Sequence, residues 1–271
     1  MKKLLFLTLI ILTTSMCSNK PKEPILVIQT NYGNIKVKLY NETPGHRDNF
    51  IKKAEEGFYK DLTFHRVIEE FMIQGGNPAT RNASDTTFVE DEKMRDTIPA
   101  EIKYPELYHK RGALAAARWG DDVNPTWVSD ASQFYIVTGK LVFDEKLDEI
   151  EKMRFEDLKK SIYSRLQSAN MDTIKALYRD SNRTAITELR TQWAEQAEEE
   201  AEERKSETQF TAAQREYYQT KGGTPHLDGK YTVFGEVVEG MDVVDKIQKV
   251  KTNAKDRPLQ SVVMNIVVLE K

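Results

Sequence analysis

The sequence predicts a mainly β fold, an antiparallel barrel or sandwich, with an α-helical segment inserted into it. Segments with strand-like alternation outnumber helical ones, and most of their connections are loops or turns. Between residues 140 and 222 the composition shifts to Glu, Lys, Arg, Gln and Ala, and apolar residues recur at helical spacing. Hydrophobic residues make up 39% of the 271, which is enough to bury a core. We therefore divide the β domain into two parts, residues 25–139 and 223–271.

The first 17 residues have the features of an export signal. Two lysines precede an apolar run over residues 4–12, which is too short to span a bilayer as a helix. Cys17, the single cysteine, follows and resembles a bacterial lipoprotein processing site. This predicts a periplasmic or outer-membrane lipoprotein, anchored by a lipid on Cys17, with the polar residues 18–24 as a flexible linker. An ordinary signal peptide or an uncleaved anchor stays open, because Met16 fits poorly before a cleavage site.

The strand predictions begin with a hairpin. Two alternating runs flank Asn31-Tyr32-Gly33-Asn34, whose residues suit a tight turn. A helix is predicted from about 46 to 56, with Thr43 as a candidate N-cap and Phe50 and Ala54 on its apolar side. A second short helix is predicted over 241–250. The remaining predicted strands are 63–68, 71–74, 112–117, 132–137, 232–237 and 262–269.

The insert, residues 140–222, is predicted to form two or three helices. No glycine lies between Gly139 and Gly222, and Glu200 stands four residues before Arg204. Three roles stay open for this segment. The first is an arm that holds client proteins. The second is a neutral elaboration of a surface loop. The third is a surface that docks a partner protein or a second copy. The docking surface would then be the side that carries Trp193, Phe210 and Tyr217.

The strongest chemical signal is Phe64-His65-Arg66-Val67-Ile68 followed by Phe71-Met72-Ile73-Gln74-Gly75-Gly76. If Arg66 lies in a strand, Phe64 and Ile68 share its face. A cation among bulky apolar neighbours is costly unless it is paired or hydrated, which indicates a binding site. The pattern alone also allows Arg66 to lie on a solvated face and cover apolar surface with its stem.

At these residues the chain resembles the cyclophilin family. Further matching blocks begin at Gly112, Ser132 and Leu227, in the family's order, and Thr43-Pro44 and Asn49-Phe50 match the start of its first helix. The resemblance covers about 25–139 and 224–271. It implies an eight-stranded closed antiparallel β-barrel with two capping helices and peptidyl-prolyl cis/trans isomerase activity. A non-catalytic module that binds proline segments or scaffolds an envelope complex is the alternative function.

The resemblance also implies a substrate groove. Arg66 matches the catalytic arginine, and His226 stands where many members have the tryptophan that contacts cyclosporin, so we expect weak cyclosporin binding. The other residues that match substrate-binding positions are Phe71, Met72, Gln74, Ala117, Arg118, Gln133, Tyr135, Leu227 and Tyr231.

The expected partners follow from the same resemblance and from the charge. Proline-containing peptides and unfolded exported proteins are the expected substrates. A net charge of −3 gives no basic field for nucleic acid. The four histidines are scattered, and a lone cysteine forms neither a disulfide within the chain nor a thiolate zinc site. No cofactor or metal is therefore expected.

Overall fold

The computed structural model describes residues 22–81 and 96–271. Cys17, the predicted signal and residues 18–21 of the predicted linker lie outside the described residues. The strands are β1 Ile25–Thr30, β2 Gly33–Leu39, β3 Leu62–Ile68, β4 Met72–Gly75, β5 Thr97–Ile98, β6 Ala113–Ala116, β7 Ser129–Asp130, β8 Phe134–Val137, β9 Val233–Glu239 and β10 Val263–Glu270. The α-helices are α1 Pro44–Glu55, α2 Asp144–Ala169, α3 Met171–Arg179, α4 Arg183–Glu203, α5 Ala212–Thr220 and α6 Met241–Gln248. None of these helices is long and apolar enough to cross a membrane.

Eight strands form a closed antiparallel barrel in the order β1-β10-β3-β4-β8-β6-β9-β2, as the family resemblance implies. The predicted hairpin is confirmed, because Thr30 pairs with Gly33 across the turn at Asn31 and Tyr32. Strands β5 and β7 form a separate two-stranded sheet. The sequence did not predict this sheet, because two residues are too few to show a period.

The barrel interior is filled by alternate residues of its strands. Ile73 on β4 and Leu114 on β6 both pair with Ile136 on β8, and all three side chains are fully buried in the interior core. Helices α1 and α6 join the same core, α1 through Phe50 and Ala54 as the sequence predicts, and α6 through Val243, Val244 and Ile247. The opposite face of the same strands is therefore available for a site.

The N-terminus of α1 is capped by a side chain distant in the sequence. Thr43 occupies the N-cap position, as the sequence predicts, but its side chain makes no capping hydrogen bond. The carboxylate of Glu101 instead accepts hydrogen bonds from the backbone N–H groups of Gly45, at 3.0 Å, and His46, at 2.9 Å. An anion at this end of a helix also interacts favourably with the helix dipole.

A β-bulge in β3 changes the face on which Phe64 lies. Phe64 pairs with Gly75, whereas Arg66 pairs with the next residue, Gln74, so His65 is the extra residue. Phe64 consequently packs inside the barrel, while Ile68 packs on the outside. The expectation that both residues share the face of Arg66 is wrong for Phe64, because simple alternation does not hold across a bulge.

The segment between β8 and β9 contains four α-helices, one more than the largest number that the sequence predicts. Its longest helices, α2 and α4, pack together through Ile162, Ala197 and Ala201. Trp193 and Phe210 are 3% and 6% exposed. Trp193 and Phe210 are therefore packed within the insert and are not exposed to a partner, whereas Tyr217 is only partly buried, so docking on this side stays a prediction.

Two glycines join the insert to the barrel. Gly139 has φ +57°, and a Cβ there would lie 2.4 Å from the Cα of Gly223. A Cβ on Gly223, where φ is +155°, would lie 2.4 Å from the carbonyl oxygen of His109. The N–H of Gly223 also donates to the carbonyl of Lys140 at 3.0 Å. The chain thus enters and leaves the insert at one point, where only glycine fits so close an approach.

Candidate functional site

A cavity of 240 Å³ lies on the outer face of the barrel, and we call it the outer-face pocket. Strands β3, β4, β8, β6 and β9 are consecutive neighbours in the barrel, so residues far apart in sequence meet there. Arg66, Gln74, Tyr135 and Ala115 form one row of directly paired residues across four of these strands. The pocket is lined by Arg66, Phe71, Met72, Gln74, Ala117, Arg118, Tyr135, Leu227 and Tyr231.

Sequence reasoning named eleven residues for this site, and these nine line one cavity. The other two, Gln133 and His226, contact residues of the lining. The apolar part of the lining comes from side chains of the outer-face core, among them Met72 and Tyr135, which are 2% and 5% exposed. The pocket therefore offers a preformed apolar surface beside two guanidinium groups, a combination typical of small binding sites.

Arg66 contributes a guanidinium group at the side of the pocket. Its side chain is 43% exposed, and its Nε lies 3.7 Å from Oδ2 of Asp256, an ion-pair distance beyond hydrogen-bond range. Asp256 is held against β3, because its carbonyl accepts a hydrogen bond from the N–H of Val67 at 2.8 Å. The carboxylate orients the arginine loosely, which leaves guanidinium donors for a ligand in the pocket.

Two glutamines beside Arg66 have fixed orientations. Nε2 of Gln74 donates to Oε1 of Gln133 at 3.1 Å, and Nε2 of Gln133 donates to Oδ2 of Asp130 at 3.2 Å. The other oxygen of Asp130 accepts from the backbone N–H and the hydroxyl of Ser132. The amide of Gln74 is therefore held at the pocket by a chain of hydrogen bonds that ends on a well-satisfied carboxylate.

Arg118 also lines the pocket and has a structural role of its own. Its side chain is only 3% exposed, it pairs with Asp121 at 2.7 Å, and its Nε donates to the carbonyl of Lys230 at 2.8 Å. The guanidinium lies 4.4 Å from the ring centroid of Tyr231 and 5.3 Å from that of Trp127. These contacts place the ring of Tyr231 in the lining by a cation–π interaction.

The hydroxyl of Tyr135 is anchored in the protein behind the pocket. It lies 2.9 Å from Nε2 of the buried His109, whose Nδ1 lies 3.0 Å from Oδ1 of Asp228. With Nδ1–H donating to the carboxylate, Nε2 is the acceptor of a hydrogen bond from the hydroxyl of Tyr135. Burial raises the pKa of Tyr135 well above its ordinary value, which keeps the phenol neutral.

Asp228 connects this chain of contacts to the insert. Its side chain is fully buried, and Oδ2 accepts from the hydroxyl of Tyr218 on α5 at 2.7 Å and lies 3.4 Å from Nη2 of Arg154 on α2. The same Nη2 donates to the carbonyl of Pro225 at 2.8 Å. The short 3-10 helix Pro225–Leu227 supplies Leu227 to the lining. Two helices of the insert thus hold one wall of the pocket.

His226 lies outside the lining and projects to the rim. Its ring stacks on that of Phe71, with centroids 5.6 Å apart and planes at 25°. Desolvation by the surrounding chain, together with the nearby His109, lowers the pKa of His226, so the ring is neutral at pH 7. The rim at this point is an imidazole stacked on a phenyl ring.

The partners behind the pocket were not predicted from the sequence. His109, Arg154 and Tyr218 carry no motif, and they meet Asp228 only through the fold. Within residues 22–81 and 96–271, no three His, Cys, Asp or Glu side chains are grouped so that they could hold a metal ion.

Three comparisons with known proteins bear on this site and fold. The family model for cyclophilin type peptidyl-prolyl cis-trans isomerase/CLD matches residues 25–195 and 197–268. A protein of Staphylococcus epidermidis named as a peptidyl-prolyl cis-trans isomerase is 27% identical over 246 residues, which are 90% of this chain and 91% of that protein. A Streptococcus pyogenes protein named as a bifunctional phosphatase/peptidyl-prolyl cis-trans isomerase is 30% identical over 248 residues, but the match spans 38% of that protein.

The fold comparison agrees with the family match. The crystal structure of a cyclophilin type isomerase of Cryptosporidium parvum superposes with a TM-score of 0.52 at 19% identity, covering 92% of this chain and 99% of the other. A structure of that protein in the presence of the dipeptide Ala-Pro matches with a TM-score of 0.51, at 18% identity and over 91% of this chain and 99% of that one. At such low sequence identities, the structural similarity shows only that the two proteins share a fold. Together with the family match, it establishes that the chain belongs to the cyclophilin-type peptidyl-prolyl cis-trans isomerases.

Proposed function

We propose that the outer-face pocket binds proline in unfolded, exported proteins and that Arg66 catalyses rotation about the preceding peptide bond. One observation carries the proposal: the guanidinium of Arg66 lines the same cavity as the apolar side chains of Phe71, Met72 and Leu227. The solved relative described in the presence of Ala-Pro supports a ligand of this kind. A proline ring is apolar, whereas the amide that precedes it is polar, and the lining offers a surface for each.

The reaction requires few catalytic groups. Rotation about an X-Pro bond must overcome a barrier of roughly 18–20 kcal/mol, because amide resonance is lost in the twisted state. No covalent bond breaks, so neither a nucleophile nor an acid and base pair is required. A thousand-fold acceleration corresponds to about 4 kcal/mol of stabilisation that develops only in the twisted state.

Arg66 can supply that stabilisation by hydrogen bonding. In the twisted amide the prolyl nitrogen regains a lone pair and becomes an acceptor. A guanidinium group stays charged at all working pH values and presents its donors in a rigid fork. The fixed amide of Gln74 and the neutral phenol of Tyr135 lie beside it. A donor that improves its contact only as the bond twists lowers the barrier without tightening substrate binding.

The test is a proline isomerisation assay on a short peptide with Arg66→Ala and Arg66→Lys. We expect Arg66→Ala to lose about a hundred-fold or more in kcat/KM, and Arg66→Lys to recover a part, since it restores charge without the fork. Arg190→Ala, on α4 outside the pocket lining, is the matched control and should keep wild-type activity. Near wild-type activity of a folded Arg66→Ala protein would refute the role.

The second candidate is a non-catalytic module that holds proline segments. The deep apolar lining would serve such a module equally well, and the loose pairing of Arg66 with Asp256 is the feature that favours catalysis. A wild-type protein that binds proline peptides without accelerating their isomerisation would establish this alternative.

We propose further that the protein is an exported lipoprotein that acts on clients in the cell envelope. The short apolar run before Cys17 and the polar residues 18–24 support this. Metabolic labelling with a radioactive fatty acid should mark the wild-type protein and not Cys17→Ser. The Cys17→Ser protein should also leave the membrane fraction. Equal labelling of both proteins would exclude Cys17 as the anchor.

A further inference from the structure

Three exposed apolar side chains of the insert region lie together beside the outer-face pocket. Leu141, Phe143 and Met153 are 47%, 64% and 51% exposed, and they are among ten large apolar side chains exposed in the described part of the chain. All three line one cavity of 560 Å³ between the start of α2 and the turn at residues 223–226, which we call the insert groove. Clustered exposed apolar side chains of this kind mark interaction sites.

The insert groove adjoins the outer-face pocket at Phe71. Phe71 lines both cavities, and His226, which stacks on it, lines the groove. A single pair of stacked rings therefore separates the two. An extended peptide advances about 3.3 Å per residue, so a chain whose proline lies in the pocket reaches past these rings within about three residues.

We infer that the insert groove is a second subsite for the same substrate chain and takes a large apolar side chain within three residues of the proline. The inference rests on the proposed function of the outer-face pocket. Because Phe71 lines both cavities, a peptide bound in the pocket is adjacent to the groove and is the occupant we propose. Because the groove lies on one side of Phe71, only one flank of the proline reaches it.

The charges at the groove agree with an apolar occupant. Its lining includes three glutamates and two lysines, and Lys146 pairs with Glu149. The two signs nearly cancel at long range, so the groove has only a weak field to select an acidic or a basic segment. Selectivity must then come from the apolar side chains. Unfolded proteins expose apolar residues that folded proteins bury, so such a groove favours unfolded clients.

The test is a series of peptides with an Ala-Pro core and serine elsewhere, in which leucine replaces each of the three positions on either side. Isomerisation gives kcat/KM, and fluorescence anisotropy of labelled peptides gives Kd. We expect leucine on one flank only to raise kcat/KM roughly ten-fold, equivalent to about 1.4 kcal/mol. A flat series in both measurements overturns the inference.

The groove variants are Phe143→Ser and Met153→Gln, alone and combined. Phe143 is the N-cap residue of α2 without a side-chain cap, so serine there favours the helix, and glutamine is a good helix former. In the double variant, leucine should no longer raise kcat/KM above the value for the serine peptide. Leu259→Ser, also 51% exposed and outside the groove lining, should keep the whole gain. An equal gain in the double variant and the control overturns the inference.

Two further outcomes concern the occupant of the groove and the activity of the pocket. If the wild-type protein isomerises no peptide while anisotropy still shows the leucine gain, the proposed function fails and the subsite stands. If the wild-type protein sediments as a dimer that the double variant converts to a monomer, a second copy occupies the groove, and the inference is overturned.

Discussion

The hydroxyl of Tyr218, on the last helix of the insert, donates a hydrogen bond of 2.7 Å to the buried carboxylate of Asp228 in the barrel. Asp228 directly follows Leu227, which lines the outer-face pocket. Its other oxygen accepts from the backbone N–H and the ring of His109. A buried carboxylate is tolerated only when its oxygens are paired and hydrogen bonded. The insert therefore supplies part of what stabilises the pocket wall, and this argues against a neutral surface elaboration.

Tyr218→Phe tests this connection. The change removes one hydrogen bond to a fully buried anion, so we expect a loss of about 1–3 kcal/mol in the free energy of unfolding. We also expect KM for a short peptide to rise more than kcat falls, because the wall is loosened while Arg66 is untouched. Tyr217→Phe is the control, since its hydroxyl lies 3.4 Å from a carbonyl oxygen and the residue is only partly buried. Equal effects of the two changes would contradict the assignment.

Deletion of residues 143–220 should damage the barrel as well as remove the insert. It takes away both Tyr218 and Arg154 and leaves the carboxylate of Asp228 without its partners on α2 and α5. We expect such a protein to lose activity on short peptides and about 1–3 kcal/mol of stability, because Oδ2 of Asp228 loses both partners while Oδ1 keeps its contacts with His109. Asp228→Asn in the same deletion should recover part of the stability. A deletion protein with wild-type activity on short peptides would show that the pocket wall does not depend on the insert.

The barrel and the lining of its pocket were predictable from the sequence, because they depend on local patterns and family motifs. Met72 and Gln74 lie on one face of β4, as alternation requires, with Ile73 inside. The prediction fails for Phe64, where a bulge adds one residue to β3. Bulges depend on pairing with a neighbouring strand, and one strand's sequence does not contain that information.

The residues behind the pocket could not be predicted from the sequence either, because their contacts also depend on distant parts of the chain. The capping carboxylate of Glu101 lies 55 residues from His46, and the carboxylate of Asp228 lies 119 residues from His109. Neither pair has a spacing that a helix or a hairpin would impose. The helices of the insert were predictable as helices, yet Trp193 was assigned to an exposed face, since helical periodicity identifies an apolar face without identifying what covers it.

Acid should destabilise the protein in two steps, and His46 accounts for part of the first. Burial lowers the pKa of His46 below its ordinary 6.5, despite the neighbouring Glu101. The unfolded chain then binds more protons than the folded one, so stability decreases as the pH falls below 6.5. Although desolvation opposes it, hydrogen bonding to His46 and to the N-terminus of α1 lowers the pKa of Glu101 below 4.5, and its contribution is lost at lower pH.

The measurement is urea unfolding at several pH values between 8 and 4 for the wild-type protein and His46→Phe. Phenylalanine keeps the ring packed near Phe234, whose centroid is 5.9 Å away, and the backbone N–H groups still bind Glu101. We expect the variant to lose less stability than the wild-type protein between pH 6.5 and 5. Identical slopes for the two proteins would show that His46 does not titrate on unfolding.

His226→Trp should tighten cyclosporin binding. The family resemblance places a tryptophan contact to this ligand at position 226, and in this protein the imidazole stacks on Phe71 at the rim of the pocket. An indole buries more apolar area than an imidazole and also donates a hydrogen bond. We expect Kd to fall about ten-fold or more, equivalent to about 1.4 kcal/mol, when titrated by calorimetry. An unchanged Kd would mean that another residue, such as Tyr231 in the lining, limits cyclosporin binding.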